Sequence, residues 1–293
     1  MVKGGIEMML VSKSQKTLDW VNKILIVLLS STFVIPAILI VSASFSSAKA
    51  FTQYGYTLFP KEWSLVAYKY IFTSHLNILR SLGISVFITV VGTFLMVMTC
   101  SLFSFAITRP KFVGKRFFAF FAIFTMLFGG GTIPYYLVVT GLKLDDTLWS
   151  IILPGAVSAW NIILMKNFIL TIPHSLCEAA EMDGANNTQV LIKVILPLSF
   201  PVIASVILFT AVGFWNNWFG PLLFIKKDYL QPAQAILRQL QDQSRQINDP
   251  SGTLPTEAIK NAAIVVTTLP IILVYPFLQK YFINGVIVGA VKG

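Results

Sequence analysis

The sequence predicts an all-α, polytopic membrane protein with six transmembrane helices. Of its 293 residues, 56% are hydrophobic and only 12% are charged, and the mean hydropathy is +0.76. Soluble domains usually carry about 25% charged residues. The apolar residues also form runs close to the roughly 20 residues that a helix needs to cross a bilayer. The alternating segments of about ten residues that a transmembrane β-barrel requires are absent, so helices are expected.

The chain begins with a polar segment, residues 1–23, which contains four lysines. Positive charge is enriched on the cytoplasmic side of membrane proteins, so this segment is expected in the cytoplasm. The first span follows at about residues 24–44. The sequence Ala-Lys-Ala at 48–50 has the small-x-small form of a signal-peptidase site, which makes a cleaved signal an alternative. We favour an uncleaved span because the apolar stretch is longer than a usual signal core.

The second span, about 82–108, and the third span, about 117–139, flank the most basic short loop. This loop, residues 109–116, has four basic residues in eight and is therefore expected in the cytoplasm. The third span contains three consecutive glycines at 129–131 and Pro134, which weaken a helix. The break either lines a pathway through the protein or permits close helix packing, and the residues leave both alternatives open.

The other three spans are about 148–170, 198–219 and 262–278, the last interrupted by Pro270 and Pro276. An even number of spans places both termini on the cytoplasmic side. The chain then divides into a cytoplasmic segment (1–23), a membrane domain (24–278) and a cytoplasmic tail (279–293), with long outer segments at 47–80 and 225–259.

A polar island separates the fourth span from the fifth. It reads Glu-Ala-Ala-Glu-Met-Asp-Gly-Ala at 178–185 and is followed by Val-Ile-Leu-Pro at 194–197. These residues predict two short helices joined by a bend at Gly184, which can adopt a positive φ. Asn186 or Asn187 can cap the second helix, and Pro197 is expected to end it.

The first helix of the island is expected to begin near Pro173, which suits a first helical turn. Its cap is either Thr171 or a capping box formed by Ser175 and Glu178. Helical spacing then places four residues on one small, shallow face: Leu176, Ala179, Ala180 and Asp183.

Catalytic and metal-binding motifs are missing from the sequence. It contains no Gly-x-x-x-x-Gly-Lys-Ser/Thr phosphate loop, no His-Glu-x-x-His pair and no convincing nucleophile elbow. His75 and His174 are isolated, and Cys100 and Cys177 indicate neither a disulfide framework nor a metal site. The net charge of +10 is not gathered into a nucleic-acid-binding patch. We therefore expect no catalytic residue, no metal ligand, no bound cofactor and no nucleic-acid partner.

The spans contain almost no ionisable residues, apart from Lys166 near a cytoplasmic end. Proton- and sodium-driven carriers usually have such residues in the membrane, so an ion-driven mechanism is disfavoured. An ion-gradient-driven secondary transporter remains the alternative, since carbonyl groups beside broken helices can form sodium sites.

The polar island resembles the cytoplasmic EAA coupling loop of ABC importer permeases, here residues 171–197. Further likeness to the carbohydrate permeases of the maltose type extends over most of the chain. It lies in Ile-Pro-Tyr at 133–135, Ile-Ile-Leu-Pro-Gly at 151–155, Met-Lys-Asn-Phe at 165–168, Ile-Pro at 172–173, Gly285, and Gly-Ala-Val-Lys-Gly at 289–293. The resemblance is closest to the branch that imports complex oligosaccharides. The alginate importer is a member of this branch, and the chain resembles its second permease subunit.

This resemblance implies a permease of the bacterial cytoplasmic (inner) membrane that moves an oligosaccharide delivered by a solute-binding protein. It also implies a heterodimer with a second permease and two ATPase subunits that bind ATP and Mg²⁺. The implied ATPase-coupling residues are Glu178, Ala179, Ala180, Glu181, Asp183, Gly184, Ala185 and Pro197. The implied tail contacts with the ATPases are Asn284, Gly285 and Lys292.

Aromatic faces and amide groups suit the binding of a sugar. The candidate pathway residues are Tyr135, Trp160, Asn161, Trp215, Asn216, Asn217 and Trp218. Each has a structural alternative, because Trp at a span end is often an interfacial anchor and Asn within a bundle often bonds another helix.

Overall fold

A computed structural model describes residues 13–73, 77–246 and 256–290. Within these ranges every regular element is a helix, which confirms the predicted all-α class. The described residues form two compact units. One unit contains residues 13–70 and 256–265, and the other contains residues 71–246 and 266–290.

The first unit begins with the long helix α1 (Lys13–Ser44), whose apolar span is Leu18–Ser44. The most apolar stretch of this span has no residue buried inside the chain, as expected of a helix that lipid or another chain must cover. The unit also contains α2 (Ala48–Tyr54) and most of α3 (Val66–Thr73). Ser47 caps α2 by accepting a hydrogen bond from the Ala50 N–H at 3.1 Å.

The second unit contains the helices that form the main core. After α3, the helices in chain order are α4 (Ile78–Thr108), α5 (Lys115–Leu127), α6 (Thr132–Gly141), α7 (Trp149–Gly155), α8 (Ala159–Ile169), α9 (His174–Met182), α10 (Asn187–Leu198), α11 (Phe200–Trp215), α12 (Phe219–Phe224), α13 (Ala233–Gln246) and α14 (Thr256–Ala290). Helix α4 is central and packs against α8 and α11. Helix α14 continues from one unit into the other, since the units divide between residues 265 and 266.

Close packing in this unit depends on small residues beside one aromatic ring. The Phe214 ring of α11 lies against Gly92 of α4 and Gly155 of α7. A Cβ atom added at Gly92 would lie 2.5 Å from the ring, and one added at Gly155 would lie 2.6 Å from it. Membrane helices often use glycine in this way to bring backbones and side chains close together.

Among the residues that the structure describes, four helical segments are long and apolar enough to span a membrane: Leu18–Ser44, Ile78–Thr108, Trp149–Ile169 and Thr256–Val274. Two bent pairs bring the number to six if each is one span. The chain bends by 118° between α5 and α6, and by 80° between α10 and α11. The first bend lies at the predicted glycine break, where Gly131 has φ +83°. The expected weakness of the third span is thus confirmed.

The sixth span differs from the expectation. Helix α14 runs from Thr256 to Ala290 without the predicted interruptions at Pro270 and Pro276. In a membrane helix, neighbouring groups and local adjustments can compensate for the N–H that proline lacks, so a proline need not end the helix. The helix also continues through residues 279–290 of the segment expected to be a tail.

Candidate functional site

The polar island forms α9, a helix of nine residues that starts differently from the prediction. Pro173 occupies the N-cap position, and no side chain caps the helix. Thr171 donates its hydroxyl to the Phe168 carbonyl at 2.7 Å instead. Glu178 contacts the His174 Nδ1 atom at 2.9 Å rather than forming a capping box with Ser175. Both expected caps are therefore wrong, because each side chain has a nearer partner.

The bend after α9 follows the prediction. Gly184 has φ +85°, in the left-handed region that favours glycine. The N–H groups of Gly184 and Ala185 donate back to the Glu181 and Ala180 carbonyls at 3.0 and 2.9 Å. These bonds satisfy carbonyls that would be unpaired at the helix end.

Asn186 caps α10, as the first of the two predicted alternatives. Its side-chain oxygen accepts from the Gln189 N–H at 2.9 Å, while its own N–H donates to the Gln189 side chain at 2.8 Å. This reciprocal pair is a capping box. The capping box therefore defines where the second short helix of the island begins, two residues after Gly184.

Helix α10 ends close to Pro197, as predicted. It contains a π-helical turn at Leu191–Ile195 and a last turn at Leu196–Leu198, and the chain then bends at Ser199. Pro197 and Pro201 lack the N–H groups that would continue a regular ladder across this bend. The helix therefore stops one residue after Pro197, and α11 starts in a new direction.

The two faces of α9 have different surroundings. Cys177 is 5% exposed and belongs to a buried apolar cluster with five other residues: Phe105, Ile169, Val190, Leu191 and Ile195. Ala180 packs partly against this cluster. Leu176, Ala179, Met182 and Asp183 lie on the exposed side, and Met182 is 87% exposed. The predicted common face is therefore only partly correct, since Ala180 is turned towards the body of the protein.

An ion pair that the sequence reasoning missed joins α9 to the basic loop. The Arg109 guanidinium donates to the Glu181 carboxylate, and the two side chains are 17% and 36% exposed. This hydrogen bond, helped by the positive charges of Arg109, Lys111 and His174, lowers the pKa of the Glu181 carboxyl against the effect of desolvation. Only the packing of the second and fourth spans brings these distant segments together, so the sequence carries no local signal for it.

A cavity of about 350 Å³ lies beside this ion pair. Its lining includes Phe105, Arg109, Pro173, His174 and Cys177. The cavity therefore lies between the cluster around Cys177 and the basic loop, on the side of α9 that faces the bundle.

A second cavity, of about 550 Å³, lies among α4, α6, α7, α8 and α11. It brings together four of the seven candidate pathway residues: Tyr135, Trp160, Asn161 and Asn217. The other lining residues include Met96, Ser158 and Thr210, and the lining has no charged side chain. Aromatic rings and uncharged polar groups around one space are suited to a sugar.

Asn161 and Trp160 differ in their freedom to meet a ligand. Asn161 is 5% exposed, and its amide contacts the Met96 sulfur at 3.1 Å and the Thr210 hydroxyl at 3.4 Å. Its predicted alternative, a bond between helices, is therefore also present. Trp160 is 60% exposed and has its ring available at the cavity.

The remaining three candidates lie outside this cavity. Trp215 is 7% exposed, and its indole N–H donates to the Thr267 carbonyl at 3.2 Å, so it packs between helices. Trp218 stacks with the Arg238 guanidinium at 4.8 Å from the ring centre. Asn216 is exposed at the end of α11. Residues 215–218 lie where α11 ends, so they do not share one helical face. Their side chains therefore point in different directions.

Two further predictions fall partly beyond what is described. Asn284 and Gly285 belong to α14, and Lys292 lies outside the described residues. Among the described residues, no group of three or more His, Cys, Asp or Glu side chains is placed to hold a metal ion.

Comparisons with known proteins give a consistent result. The family model described as "Binding-protein-dependent transport system inner membrane component" matches residues 81–288. The polygalacturonan/rhamnogalacturonan transport system permease protein YtcP of Bacillus subtilis (strain 168) is 42% identical over 266 residues, which is 89% of this chain and 93% of the relative. Protein LplC of the same strain is 40% identical over 287 residues, covering 96% of this chain and 97% of the relative.

A solved structure also resembles this fold. It is the crystal structure of a bacterial ABC transporter involved in the import of the acidic polysaccharide alginate. The likeness has a TM-score of 0.84 at 33% sequence identity, and it covers 92% of this chain and 98% of the matched one.

Proposed function

This chain belongs to the family of binding-protein-dependent transport system inner membrane components, and from that premise we propose how its residues serve transport. It is the permease subunit of an ABC importer for oligosaccharides or polysaccharides, and it is not itself an enzyme. Membership of this family decides against the ion-gradient-driven carrier. The roles still to be assigned are those of the residues that contact the ATPase and of the residues that bind the sugar.

Helix α9 is the docking element for a partner ATPase in this proposal. The observation that carries it is the division of the helix into a buried side, centred on Cys177, and an exposed side that presents Ala179 and Met182. Met182 is the most projecting apolar side chain of the loop, at 87% exposure. Together with Leu176, which is 44% exposed, Met182 gives the exposed side of α9 an apolar area that a partner could cover.

The acidic groups on the exposed side supply charge to the same contact. The Glu178 side chain is 64% exposed. It contacts His174 of its own helix and can also bind a basic group on the ATPase. Asp183 is exposed at the helix end, next to Gly184. The hinge at Gly184 then lets α9 change its angle to α10, while Pro197 marks the turn into α11. The tail residues Asn284, Gly285 and Lys292 are proposed as a second contact.

The cavity lined by Tyr135, Trp160, Asn161 and Asn217 is the proposed sugar pathway. The exposed Trp160 ring provides a flat apolar face, and the amides provide hydrogen bonds. One relative, YtcP, is named as a permease of a polygalacturonan/rhamnogalacturonan transport system, and the similar structure is of a transporter involved in the import of alginate. We therefore propose an acidic oligosaccharide as substrate, with the groups that neutralise its carboxylates supplied by other subunits, because this lining is uncharged.

The working assembly in this proposal contains a second permease, two ATPase subunits and a solute-binding protein. ATP and Mg²⁺ bind to the ATPases, whose closure pushes α9 and turns the cavity outward. The chain crosses the bacterial cytoplasmic membrane with both termini in the cytoplasm, which places residues 109–116 and 171–197 on the ATPase side. Residues 1–23, 24–278 and 279–293 are then the cytoplasmic segment, the membrane domain and the tail.

The exchange Gly184→Val tests the docking role. A Cβ at Gly184 meets no atom within 4 Å, so the substitution causes no steric clash with neighbouring residues. It acts only because the backbone at this position has a φ of +85°. A β-branched residue strongly disfavours that conformation, so α9 should leave its docking angle while the bundle still inserts into the membrane. We expect ATPase stimulation and sugar uptake to be lost in proteoliposomes, although the complex is recovered in normal amount.

The matched control is Gly83→Val, on the exposed side of α4. A Cβ there also meets nothing within 4 Å, and Gly83 has no positive φ. This variant should transport normally. Normal uptake by the Gly184 variant, or failure of an ATPase to co-purify with the wild-type chain, would contradict the proposed function.

A further inference from the structure

The two glutamates of the Glu-Ala-Ala-Glu stretch have different neighbours. Glu178 pairs with His174 one turn earlier in the same helix, and both side chains are more than half exposed. Glu181 instead pairs with Arg109, which directly follows the last residue of α4. Glu178 therefore pairs within its own helix, whereas Glu181 pairs with a distant part of the permease.

Arg109 is held in place on its own side of this contact. Its backbone N–H donates to the Ala106 carbonyl at 3.2 Å, which ends α4. Its guanidinium lies 5.2 Å from the centre of the Phe105 ring, and its side chain is only 17% exposed. The charge is thus already oriented towards Glu181, with little freedom left for the ion pair to remove.

The contact lies at the end of α9 that otherwise has the least support. Towards its start, α9 follows α8 through a short turn and packs through Cys177. At its other end stands Gly184, whose Cβ position is open space. Without the ion pair, the last turn of α9 would be joined to the bundle mainly through the small Ala180 contact.

We propose that Arg109 is a positioning residue that ties the last turn of the coupling helix to α4. This inference rests on the proposed function, because it assumes that α9 is the element on which an ATPase acts. Movement of α9 would then be carried by Arg109 into α4, whose Met96 lines the sugar cavity beside Asn161. The resemblance assigned Glu181 to the ATPase contact, and the ion pair reassigns it to the inside of the permease.

A merely structural role can be separated from this one. A partly exposed ion pair contributes little to overall stability, so the complex should assemble without it. Other charged groups also face Glu181, namely Lys111 and His174. Lys111→Gln is therefore a matched control, because it removes a neighbouring positive charge but leaves the Arg109 contact intact.

The test uses the full complex with its ATPase and two spin labels, at Ser175→Cys on α9 and Val113→Cys in the basic loop. Both positions are exposed, whereas the native Cys100 and Cys177 are buried, at 0% and 5% exposure, and are left in place. The distance between the labels is measured by pulsed electron paramagnetic resonance, without nucleotide and with ATP and vanadate. We expect one narrow distance in both states, because α9 and the end of α4 move together.

In Arg109→Gln the distance distribution should broaden and shift with ATP, and ATP-driven transport should fall roughly 2- to 30-fold. Glu181→Gln, which keeps the side-chain shape, should act in the same way, and Lys111→Gln should not. Exchange of the two charges, Arg109→Glu with Glu181→Arg, should restore the narrow distance.

Three results would overturn the inference: a wild-type distance that changes with nucleotide, an unchanged distance in Arg109→Gln, or failure of the charge exchange to restore it. Failure of the proposed function would look different. In that case the Ser175 label would be equally mobile with and without the ATPase, whatever residue occupies position 109.

Discussion

The contact of Phe214 with two glycines predicts that replacing Gly92 by a larger residue lowers the free energy of unfolding, and the contact distances indicate by how much. In Gly92→Ala, the added Cβ would lie 2.5 Å from the ring, well inside the contact distance of two carbons. The ring cannot simply move away, because its tip also lies against Gly155, where a Cβ would be at 2.6 Å. Overpacking of this kind costs about 1–3 kcal/mol in the free energy of unfolding.

The same substitution at Gly83 provides the comparison. Gly83 is on the same helix, and a Cβ there meets nothing within 4 Å. Alanine is favoured over glycine in a helix by about 0.8–1.0 kcal/mol, so Gly83→Ala should be neutral or slightly stabilising. The two variants should therefore differ by roughly 1–4 kcal/mol in the free energy of unfolding, with Gly92→Ala the less stable.

Thermal unfolding of the purified protein in detergent measures this difference, and recovery of folded protein after heating measures it a second way. The double variant Gly92→Ala with Phe214→Leu should regain much of the loss, since the smaller side chain leaves room for the new methyl group. If Gly92→Ala is as stable as Gly83→Ala, the ring is not held between the glycines, and the packing argument is refuted.

Two other predictions concern the cavity and the turn of residues 141–147, which contains Asp146 and is called the outer turn because the proposed orientation places it outside. Trp160→Ala should weaken uptake several-fold with little change in thermal stability, because the ring is 60% exposed at the cavity; normal uptake would remove it from the pathway. Asp146 accepts hydrogen bonds from the backbone N–H groups of Lys226 and Lys227 at 2.6 and 3.3 Å, and the bond from Lys226 is the main reason that its pKa is lowered. Its stabilising effect should be present above the ordinary carboxyl pKa of 3.8 and be lost as the pH falls through the lowered value. Asp146→Ala should remove that pH dependence and make the outer turn easier to cleave with protease.

The sequence predicted the parts of this protein that local chemistry decides. Gly184 has a positive φ because no other residue adopts it so readily, and the Asn186 capping box needs only residues three apart. The glycine run before Pro134 breaks the third span for the same local reason. Each of these features could be predicted without knowing which helices meet.

What the sequence could not provide depends on contacts between distant segments. Trp215 and Asn217 are two positions apart in the chain, yet Trp215 packs against α14 whereas Asn217 lines the cavity. Arg109 and Glu181 are 72 residues apart, and nothing near either residue indicates the other. The continuity of α14 through Pro270 also depends on tertiary surroundings that compensate for the missing N–H.

Helix α4 connects the proposed docking loop with the proposed sugar pathway through a series of polar contacts. Thr99 donates to the Ala156 carbonyl, Ser104 donates to the Ile162 carbonyl at 2.8 Å, and Arg109 pairs with Glu181. These contacts join α4 successively to the end of α7, to α8 and to α9, so we expect the four helices to move as one body. Helix α11 packs on the same body through the Phe214 contact with two glycines and through the 3.4 Å hydrogen bond from Asn161 to Thr210, and the chain bends by 80° at Ser199, where α11 begins.

The difference between the two kinds of contact indicates where motion occurs. Hydrogen bonds and an ion pair resist sliding because each has a fixed partner, whereas α11 is held to α4 and α8 mainly by apolar packing and one long hydrogen bond, and packed helices can shift past one another by small amounts. Force applied to α9 should therefore shift α4 and α8 against α11, and the cavity between them, with Asn161 on one side and Thr210 on the other, should change shape. A disulfide between positions 161 and 210 should then allow ATP hydrolysis while blocking uptake, and unimpaired uptake by the cross-linked complex would place the moving boundary elsewhere.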